Sequence, residues 1–253
     1  MWIEVLSFIY AVNTVMSGKP PNYTQTLKKI IFENYDASVM PNNKGGNIGN
    51  VTFGFNPICL HLNNFGRVSG YVWYEITWYD ERLKWDNFKD IESLSLPHNL
   101  VWKPDILPFL GNDGDSYSKK YPVVIFPDGK VVFIINVKIN HRCFKKLSPI
   151  HNKTINCEVP FGSWTYDSEM MNLDFHNGKA EANLSSYDFD TCPTKILPSS
   201  ATRKVKKYDG LPKEYITLVY HLKLVSLNPW EEEEGKWTKT TNDYMAYNFV
   251  KLE

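Results

Sequence analysis

The sequence predicts an all-β fold, a β-sandwich, from two observations. From Val51 to about Leu227 the chain carries short segments rich in aromatic and β-branched residues, with hydrophobicity that alternates at a period of two. Glycine, proline and asparagine turns separate these segments, and no helical segments alternate with them as they would in an α/β enzyme. We therefore expect packed sheets around a core to which the 15% aromatic residues contribute.

One amphipathic helix is expected ahead of the strands, within residues 22–35. Four apolar residues there stand at positions i, i+3, i+4 and i+8, so they share one face of a helix. They are Leu27, Ile30, Ile31 and Tyr35. Residues 41–50 are rich in Asn and Gly and predict a turn region before the first strand.

Three regions carry the clearest strand signal. Residues 71–79 are mostly aromatic or β-branched, and residues 215–227 alternate between apolar and polar side chains. Residues 123–126 and 131–137 flank the turn Pro127-Asp-Gly129, a combination that predicts a β-hairpin.

The two ends of the chain differ from this pattern. Residues 1–18 hold a short apolar stretch followed by Ser17-Gly18, which suggests a signal peptide, with an N-terminal strand as the alternative because Glu4 stands where a basic residue is usual. Residues 228–253 carry six acids and three lysines without an apolar block, and they predict an acidic, solvated tail. The folded domain is expected to span residues 22–227.

Composition excludes two classes of protein. The 28 basic and 28 acidic residues give no net charge, so no basic field exists to hold a polyanion and we expect no nucleic-acid partner. The longest unbroken apolar runs, residues 8–12 and 131–135, have five residues each. A transmembrane helix needs roughly 18 to 20, so no membrane span is expected in this chain.

The residues that carry enzyme chemistry show no recognisable pattern. The six histidines lack metal-ligand spacing, and the sequence has neither a G-x-S-x-G elbow nor a glycine-rich phosphate loop. The acidic stretch Asn112-Asp-Gly-Asp115 does not continue into an EF-hand pattern. We expect no enzyme activity, no cofactor and no metal.

Four motifs follow one another in the middle of the chain. They are Val101-Trp-Lys-Pro-Asp-Ile106, Asn112-Asp-Gly-Asp115, the pair Cys143 and Cys157 enclosing 13 residues, and Phe161-Gly-Ser-Trp-Thr-Tyr-Asp167. In this order the motifs resemble the extracellular ligand-binding domain of Cys-loop pentameric receptors, specifically the nicotinic acetylcholine receptor branch, from about Tyr23 to Leu227. The resemblance implies a helix followed by a twisted sandwich of about ten strands, a Cys143–Cys157 disulfide and assembly as a ring of five.

The resemblance also implies an aromatic cage between two subunits, which binds an amine cation through the faces of its rings. Trp164 takes the place of the central tryptophan on the principal face, and Phe109 that of its first tyrosine. Trp73 matches the aromatic residue of the complementary face. Its apolar contacts correspond to Val124, Val132 and Ile134, for which ordinary strand packing is an equal alternative. Trp78 and Trp102 are expected in the core.

The third segment of the principal face departs from the family pattern. The nicotinic α-type subunits have two adjacent cysteines between tyrosines, whereas the segment Tyr187 to Pro193 has the single Cys192. Either Phe189 or Tyr187 is expected to substitute for the missing tyrosine after a small shift in register, and the carboxylate of Asp190 is expected to favour a cation. Cys192 and Cys59 are left without an obvious partner, and Cys59 is expected to be a buried thiol in a strand.

Two further departures bear on the channel. The loop between Cys143 and Cys157 is hydrophilic, with His151 and Lys153 where the family has proline and aspartate, and no apolar helix follows Leu227. Both features resemble the soluble acetylcholine-binding proteins. We therefore expect an extracellular, secreted protein without its own pore, which binds a small cationic neurotransmitter-like ligand in a homo- or hetero-pentamer. The alternative is a truncated or non-α-type subunit of a neurotransmitter-gated channel at the cell surface.

Overall fold

The computed structural model describes residues 23–41, 49–63, 66–88, 90–109, 111–112, 121–143 and 154–227, with residues 111–112 described by their backbone only. The expected signal peptide (residues 1–18), the acidic tail (228–253) and the tip of the Cys143–Cys157 loop lie outside these residues. Within them, no helix is long and apolar enough to cross a membrane.

A short helix, α1 (Tyr23–Ile31), precedes the sheets. It buries Leu27 and Ile31 but leaves Ile30 exposed, so the buried stripe is narrower than the sequence pattern predicts. The helix also ends earlier than the expected residue 35. Tyr35 lies beyond it, where its hydroxyl donates a hydrogen bond to the buried carboxylate of Asp80 at 2.8 Å.

Eleven strands follow in the described part of the chain. In order they are β1 (Gly49–Leu62), β2 (Arg67–Tyr79), β3 (Leu94–Pro97), β4 (Ile106–Pro108), β5 (Gly111–Asn112), β6 (Pro122–Ile125), β7 (Lys130–Arg142), β8 (Thr154–Ser163), β9 (Met171–Phe175), β10 (Thr194–Lys207) and β11 (Glu214–Ser226). The predicted hairpin at Pro127-Asp-Gly129 joins β6 to β7, and Gly129 takes the positive φ of 81° that its turn requires. The strand and hairpin predictions are confirmed.

The strands form two sheets. One has seven strands in the order β3-β6-β7-β2-β1-β9, with β5 paired to β7, and the other has four in the order β10-β11-β8-β4. The β1–β9 pair is parallel and the remaining pairs are antiparallel. This arrangement confirms the predicted β-sandwich.

Aromatic rings fill the space between the sheets. Phe53 of β1 lies 4.7 Å from Phe161 of β8, centroid to centroid, and Tyr74 of β2 lies 5.3 Å from the same ring. Tyr220 of β11 completes this cluster and donates a hydrogen bond to the Phe53 carbonyl at 3.1 Å. Rings in such tilted and edge-to-face contact contribute stability beyond the area that they bury.

The two tryptophans assigned to the core are buried there. Trp78 and Trp102 meet edge to face at 6.1 Å, and the Tyr35 hydroxyl accepts a hydrogen bond from the Trp102 backbone N–H at 2.9 Å. The core prediction for both is confirmed. This contact also ties the end of the helix to the segment that leads into β4.

Candidate functional site

The outer face of the four-stranded sheet carries Phe109 directly over Gly162. The backbone N–H of Phe109 donates to the Pro160 carbonyl at 3.0 Å, which holds the residue beside β8. A Cβ atom at Gly162 would stand only 2.6 Å from the Phe109 ring and 2.8 Å from the Ile216 carbonyl oxygen. Glycine is therefore required for the ring to lie against the strand.

Trp164 follows β8 and is held by its neighbours rather than by its own side chain. The Asp105 carboxylate accepts hydrogen bonds from Ser163 Oγ at 2.6 Å and from the Thr165 backbone N–H at 2.8 Å. Ser163 Oγ in turn accepts from the Tyr166 N–H at 2.7 Å. The Trp164 side chain, by contrast, is 75% exposed. A fixed backbone therefore presents a large, unburied indole to solvent, which is unusual for tryptophan.

The tip of the β10–β11 hairpin lies beside Trp164. Thr217 of β11 is level with Gly162 of β8, so Tyr215, two residues nearer the tip, is level with Trp164 and on the same face of the sheet. Tyr208 lies across the tip, with its ring centroid 6.1 Å from that of Tyr215. The Ser168 N–H donates to the Glu214 carbonyl at 2.8 Å, which joins the Trp164 segment to the hairpin.

Tyr208 and Tyr215 were not among the predicted site residues. The signal that identifies them is the turn Asp209-Gly210 between two alternating segments, a combination typical of hairpins. Gly210 adopts a φ of 82°, as such turns require. Read as a hairpin tip, the segment brings both tyrosines to the Trp164 end of the sheet.

The residues predicted for the complementary face share the outer surface of the other sheet. Trp73 and Ile134 are 39% and 47% exposed, and Val124 and Val132 are partly exposed. Val132 pairs with Val124 on one side and with Thr77 on the other. Because their neighbours along the strands are buried, all four side chains point away from the core.

The two groups of residues therefore lie on different sheets of the sandwich. Phe109 and Trp164 directly follow strands β4 and β8 of the four-stranded sheet, whereas Trp73 lies in β2 of the seven-stranded sheet. Their outward-facing side chains are separated by the core, so one chain does not bring them together. A site that uses both groups requires two chains.

The third predicted segment does not join Trp164. Tyr187 is only 6% exposed, its hydroxyl donates to the Thr194 carbonyl, and burial raises its pKa to about 12. Thr194 begins β10, whereas Trp164 lies level with the far end of that hairpin, about 40 Å away along a strand that rises roughly 3.3 Å per residue.

Phe189 and Asp190 lie at this same distant end. Phe189 is 45% exposed and packs edge to face on Tyr187 at 4.9 Å, and Asp190 is exposed. The turn is held by Asp188, whose carboxylate accepts from the Thr191 N–H at 3.0 Å and whose N–H donates to the Ile58 carbonyl at 3.0 Å. The expectation that this segment contributes to a cage with Trp164 is corrected: it packs against β1 instead.

Both remaining cysteines also require a correction. Cys59 of β1 and Cys192 form a disulfide, with their Cα atoms 5.5 Å apart, so Cys59 is not a free buried thiol. The two cysteines are separated by 133 positions in sequence, so no local pattern indicates that they pair. The Cys143–Cys157 disulfide is present as the resemblance implied, with a Cα–Cα distance of 4.6 Å.

A cavity lies elsewhere in the domain, away from Trp164. This cavity of about 320 Å³ opens between β1 and β10 and is lined by His176, Asn183 and Pro198 among others, but by none of the predicted site residues. Within the residues that the structure describes, no group of three or more His, Cys, Asp or Glu side chains is placed to hold a metal ion. The aromatic group around Trp164 remains the candidate site.

Comparison with known proteins identifies the family. Residues 24–225 match the family described as the neurotransmitter-gated ion-channel ligand binding domain. The chain belongs to this family. Its members are ligand-binding domains of receptors, which confirms the extracellular localisation and the prediction that the chain is not an enzyme.

Individual relatives agree with this assignment. The chain is 31% identical over 170 residues to the acetylcholine receptor subunit beta-like 1 of Drosophila melanogaster, covering 64% of this chain and 32% of the relative. It is 29% identical over 205 residues to the neuronal acetylcholine receptor subunit alpha-9 of Gallus gallus, covering 79% and 42% respectively. The chain thus spans less than half the length of these relatives.

A solved structure confirms the fold. The AChBP of Capitella teleta, determined in complex with lobeline, superposes with a TM-score of 0.68 at 21% sequence identity, covering 82% of this chain and all of that chain.

Proposed function

We propose that the chain binds a small cationic amine at the interface between two subunits of a pentameric ring. Trp164, Phe109, Tyr208 and Tyr215 form the side contributed by one subunit. Trp73, Val124, Val132 and Ile134 form the side contributed by the next. Aromatic faces attract an ammonium group through their quadrupoles, and each ring contributes on the order of 0.5 to 2 kcal/mol once the site excludes water.

The exposure of Trp164 carries this proposal. An indole that is 75% exposed loses the benefit of burial, yet four hydrogen bonds among neighbouring groups fix the backbone on either side of it. A residue presented in this way is suited to bury its ring against a ligand and a second subunit. The separation of Trp73 onto the other sheet supports the same conclusion, because a ring of subunits places one sheet's outer face against its neighbour.

The test compares two exposed aromatic residues at opposite ends of the four-stranded sheet. Binding of choline to the purified protein is measured by isothermal titration calorimetry for Trp164→Ala and for Phe189→Ala. We expect Trp164→Ala to weaken binding roughly 5- to 30-fold, as the loss of about 1 to 2 kcal/mol implies. Phe189→Ala should leave affinity unchanged. Weakening by Phe189→Ala alone would place the site at the wrong end of the sheet.

Assembly is measured in the same samples by sedimentation. A pentamer is expected, and the chain should still sediment as a pentamer after Trp164→Ala. A monomer that binds no amine would contradict the proposal.

A second candidate is supported by the relatives. Both relatives described above are receptor subunits that extend well beyond the matched region. In this alternative the domain belongs to a channel subunit, and partner subunits supply part of the site. Mapping the transcript separates the two, because a form that continues past Leu227 into four apolar helices would make this chain part of a channel.

A further inference from the structure

The ammonium group of Lys206, a residue of the same chain, lies beside the aromatic residues of the hairpin tip. Lys206 Nζ lies 4.6 Å from the centroid of the Tyr208 ring, within the distance at which a cation and a ring attract each other. Tyr208 in turn contacts Tyr215 at 6.1 Å. The group proposed to bind an external ammonium therefore has an internal ammonium beside it.

The strand register places Lys206 on the ligand side of the sheet. Lys206 pairs with Tyr215, and Lys204 pairs with Thr217, both on the face that carries Phe109. Side chains at odd positions point the other way. Arg203 shows this directly, since its Nε donates to the Leu173 carbonyl of the other sheet at 2.9 Å.

The hairpin tip as a whole is positively charged, as Lys206 is. Residues 203–215 contain five basic and two acidic residues, and the last six residues of β10 are all exposed. The Asp105 carboxylate, which bonds to the residues on either side of Trp164, is occupied by the hydrogen bonds of Ser163 and Thr165. A simple cation that approaches Tyr208 is therefore repelled by Lys206, while an acidic group at the same place is attracted.

We propose that Lys206 determines the class of ligand that this site accepts: an amine that also carries a carboxylate, in preference to an amine with no acidic group. The ammonium then faces the Trp164 ring and the carboxylate faces Lys206. This inference rests on the proposed function, since it specifies the ligand of the same site.

Choline and glycine betaine provide the test, because both carry a trimethylammonium group and only betaine carries a carboxylate. Isothermal titration calorimetry is run at low ionic strength with wild type, Lys206→Gln and Lys207→Gln. A unit charge at about 4 Å in water changes affinity on the order of fivefold. Lys206→Gln should strengthen choline binding and weaken betaine binding by about that factor each. The betaine preference of the wild-type protein should be lost.

Lys207→Gln is the matched control, since it removes the same charge from the adjacent residue on the opposite side of the strand. It should leave the ratio of the two dissociation constants close to the wild-type ratio. Circular dichroism is used to check that both variants fold, which is expected because both lysines are exposed.

The outcomes are separable. If both ligands bind and Lys206→Gln leaves their ratio unchanged, or shifts it no more than Lys207→Gln does, the role of Lys206 is refuted while the amine site stands. If neither ligand binds the folded wild type or the folded Lys206→Gln, the proposed function fails and this inference fails with it.

Discussion

The Cys59–Cys192 disulfide is predicted to stabilise the domain more than the Cys143–Cys157 disulfide does. It joins β1 of one sheet to the segment just before β10 of the other, and its two cysteines are 133 positions apart in sequence. The Cys143–Cys157 disulfide encloses a separation of only 14. The test is to remove each disulfide by substituting both of its cysteines with serine.

The expected magnitude follows from the length of each loop. In the chain-entropy model a disulfide restricts the unfolded chain by 2.1 + 1.5R ln n cal/mol/K, where n is the number of residues enclosed. For the Cys59–Cys192 loop this gives about 5 kcal/mol at 25 °C, and for the Cys143–Cys157 loop about 3 kcal/mol. A difference of about 2 kcal/mol therefore separates the two variants, and loss of the long-range link should lower Tm by roughly 10 to 20 °C.

Urea denaturation without reducing agent measures both free energies of unfolding, and non-reducing peptide mapping establishes the pairing in the wild type. We expect a peptide that contains Cys59 linked to one that contains Cys192, and a larger loss of stability in the variant that lacks this link. An equal or smaller loss than in the Cys143–Cys157 variant would refute the argument from loop length. Free thiols at Cys59 and Cys192 would refute the pairing itself.

Three further predictions concern single side chains. Gly162→Ala should displace the Phe109 ring, destabilise the domain by about 1 to 3 kcal/mol and weaken choline binding, as urea denaturation and calorimetry would measure; unchanged values would show that the ring does not need this glycine. Asp105→Asn should remove the negative charge that accepts the hydrogen bonds of Ser163 and Thr165, which should cost about 1 to 3 kcal/mol of stability and weaken choline binding. A loss of stability without any change in choline binding would show that Asp105 does not position Trp164. Burial lowers the pKa of His141, so below about pH 6.5 the unfolded chain takes up a proton that the folded chain does not, and stability should fall with decreasing pH by up to about 1.4 kcal/mol per pH unit. In urea denaturation at pH 5 and 7.5, His141→Gln should reduce this pH dependence. An unchanged pH dependence in the variant would contradict the prediction.

The fold could be predicted from the sequence because strand alternation and turn residues are properties of short segments. The alternation of residues 131–137 reports which side chains face the core, and the turn Pro127-Asp-Gly129 fixes how two adjacent strands pair. The motif around Trp164 is local as well. It includes Ser163, whose Oγ accepts hydrogen bonds from the backbone N–H groups of Thr165 and Tyr166. The outer-face positions of Trp73 and Ile134 also follow from alternation alone.

The two corrections share a physical cause. The segment around Cys192 is assigned to the site from its resemblance to the family's cysteine-containing segment, and that resemblance rests on one cysteine among aromatic residues. Its actual position is set by tertiary contacts: a disulfide to Cys59 and the hydrogen bond from Asp188 to Ile58. Contacts between residues 130 or more positions apart leave no mark on the local pattern.

The hairpin tip, which was not predicted as part of the site, carries two local signals that conflict. Tyr208 and Tyr215 flank a turn whose Asp209-Gly210 pair is a recognisable signal, but five of the seven charged residues in this stretch are basic, which is unlike a site for a cation. The structure shows that the turn lies level with Trp164 and that Lys206 rests on one of the rings. Under the function proposed above, this positive charge is part of the site.

The most direct test of the central claim is a cryo-EM structure of the purified protein with bound choline or betaine. The proposed site predicts a ring of five subunits with the trimethylammonium group within about 6 Å of the Trp164 ring centroid and Trp73 of the adjacent subunit facing it. Ligand density beside Phe189, or in the cavity lined by His176, would contradict it.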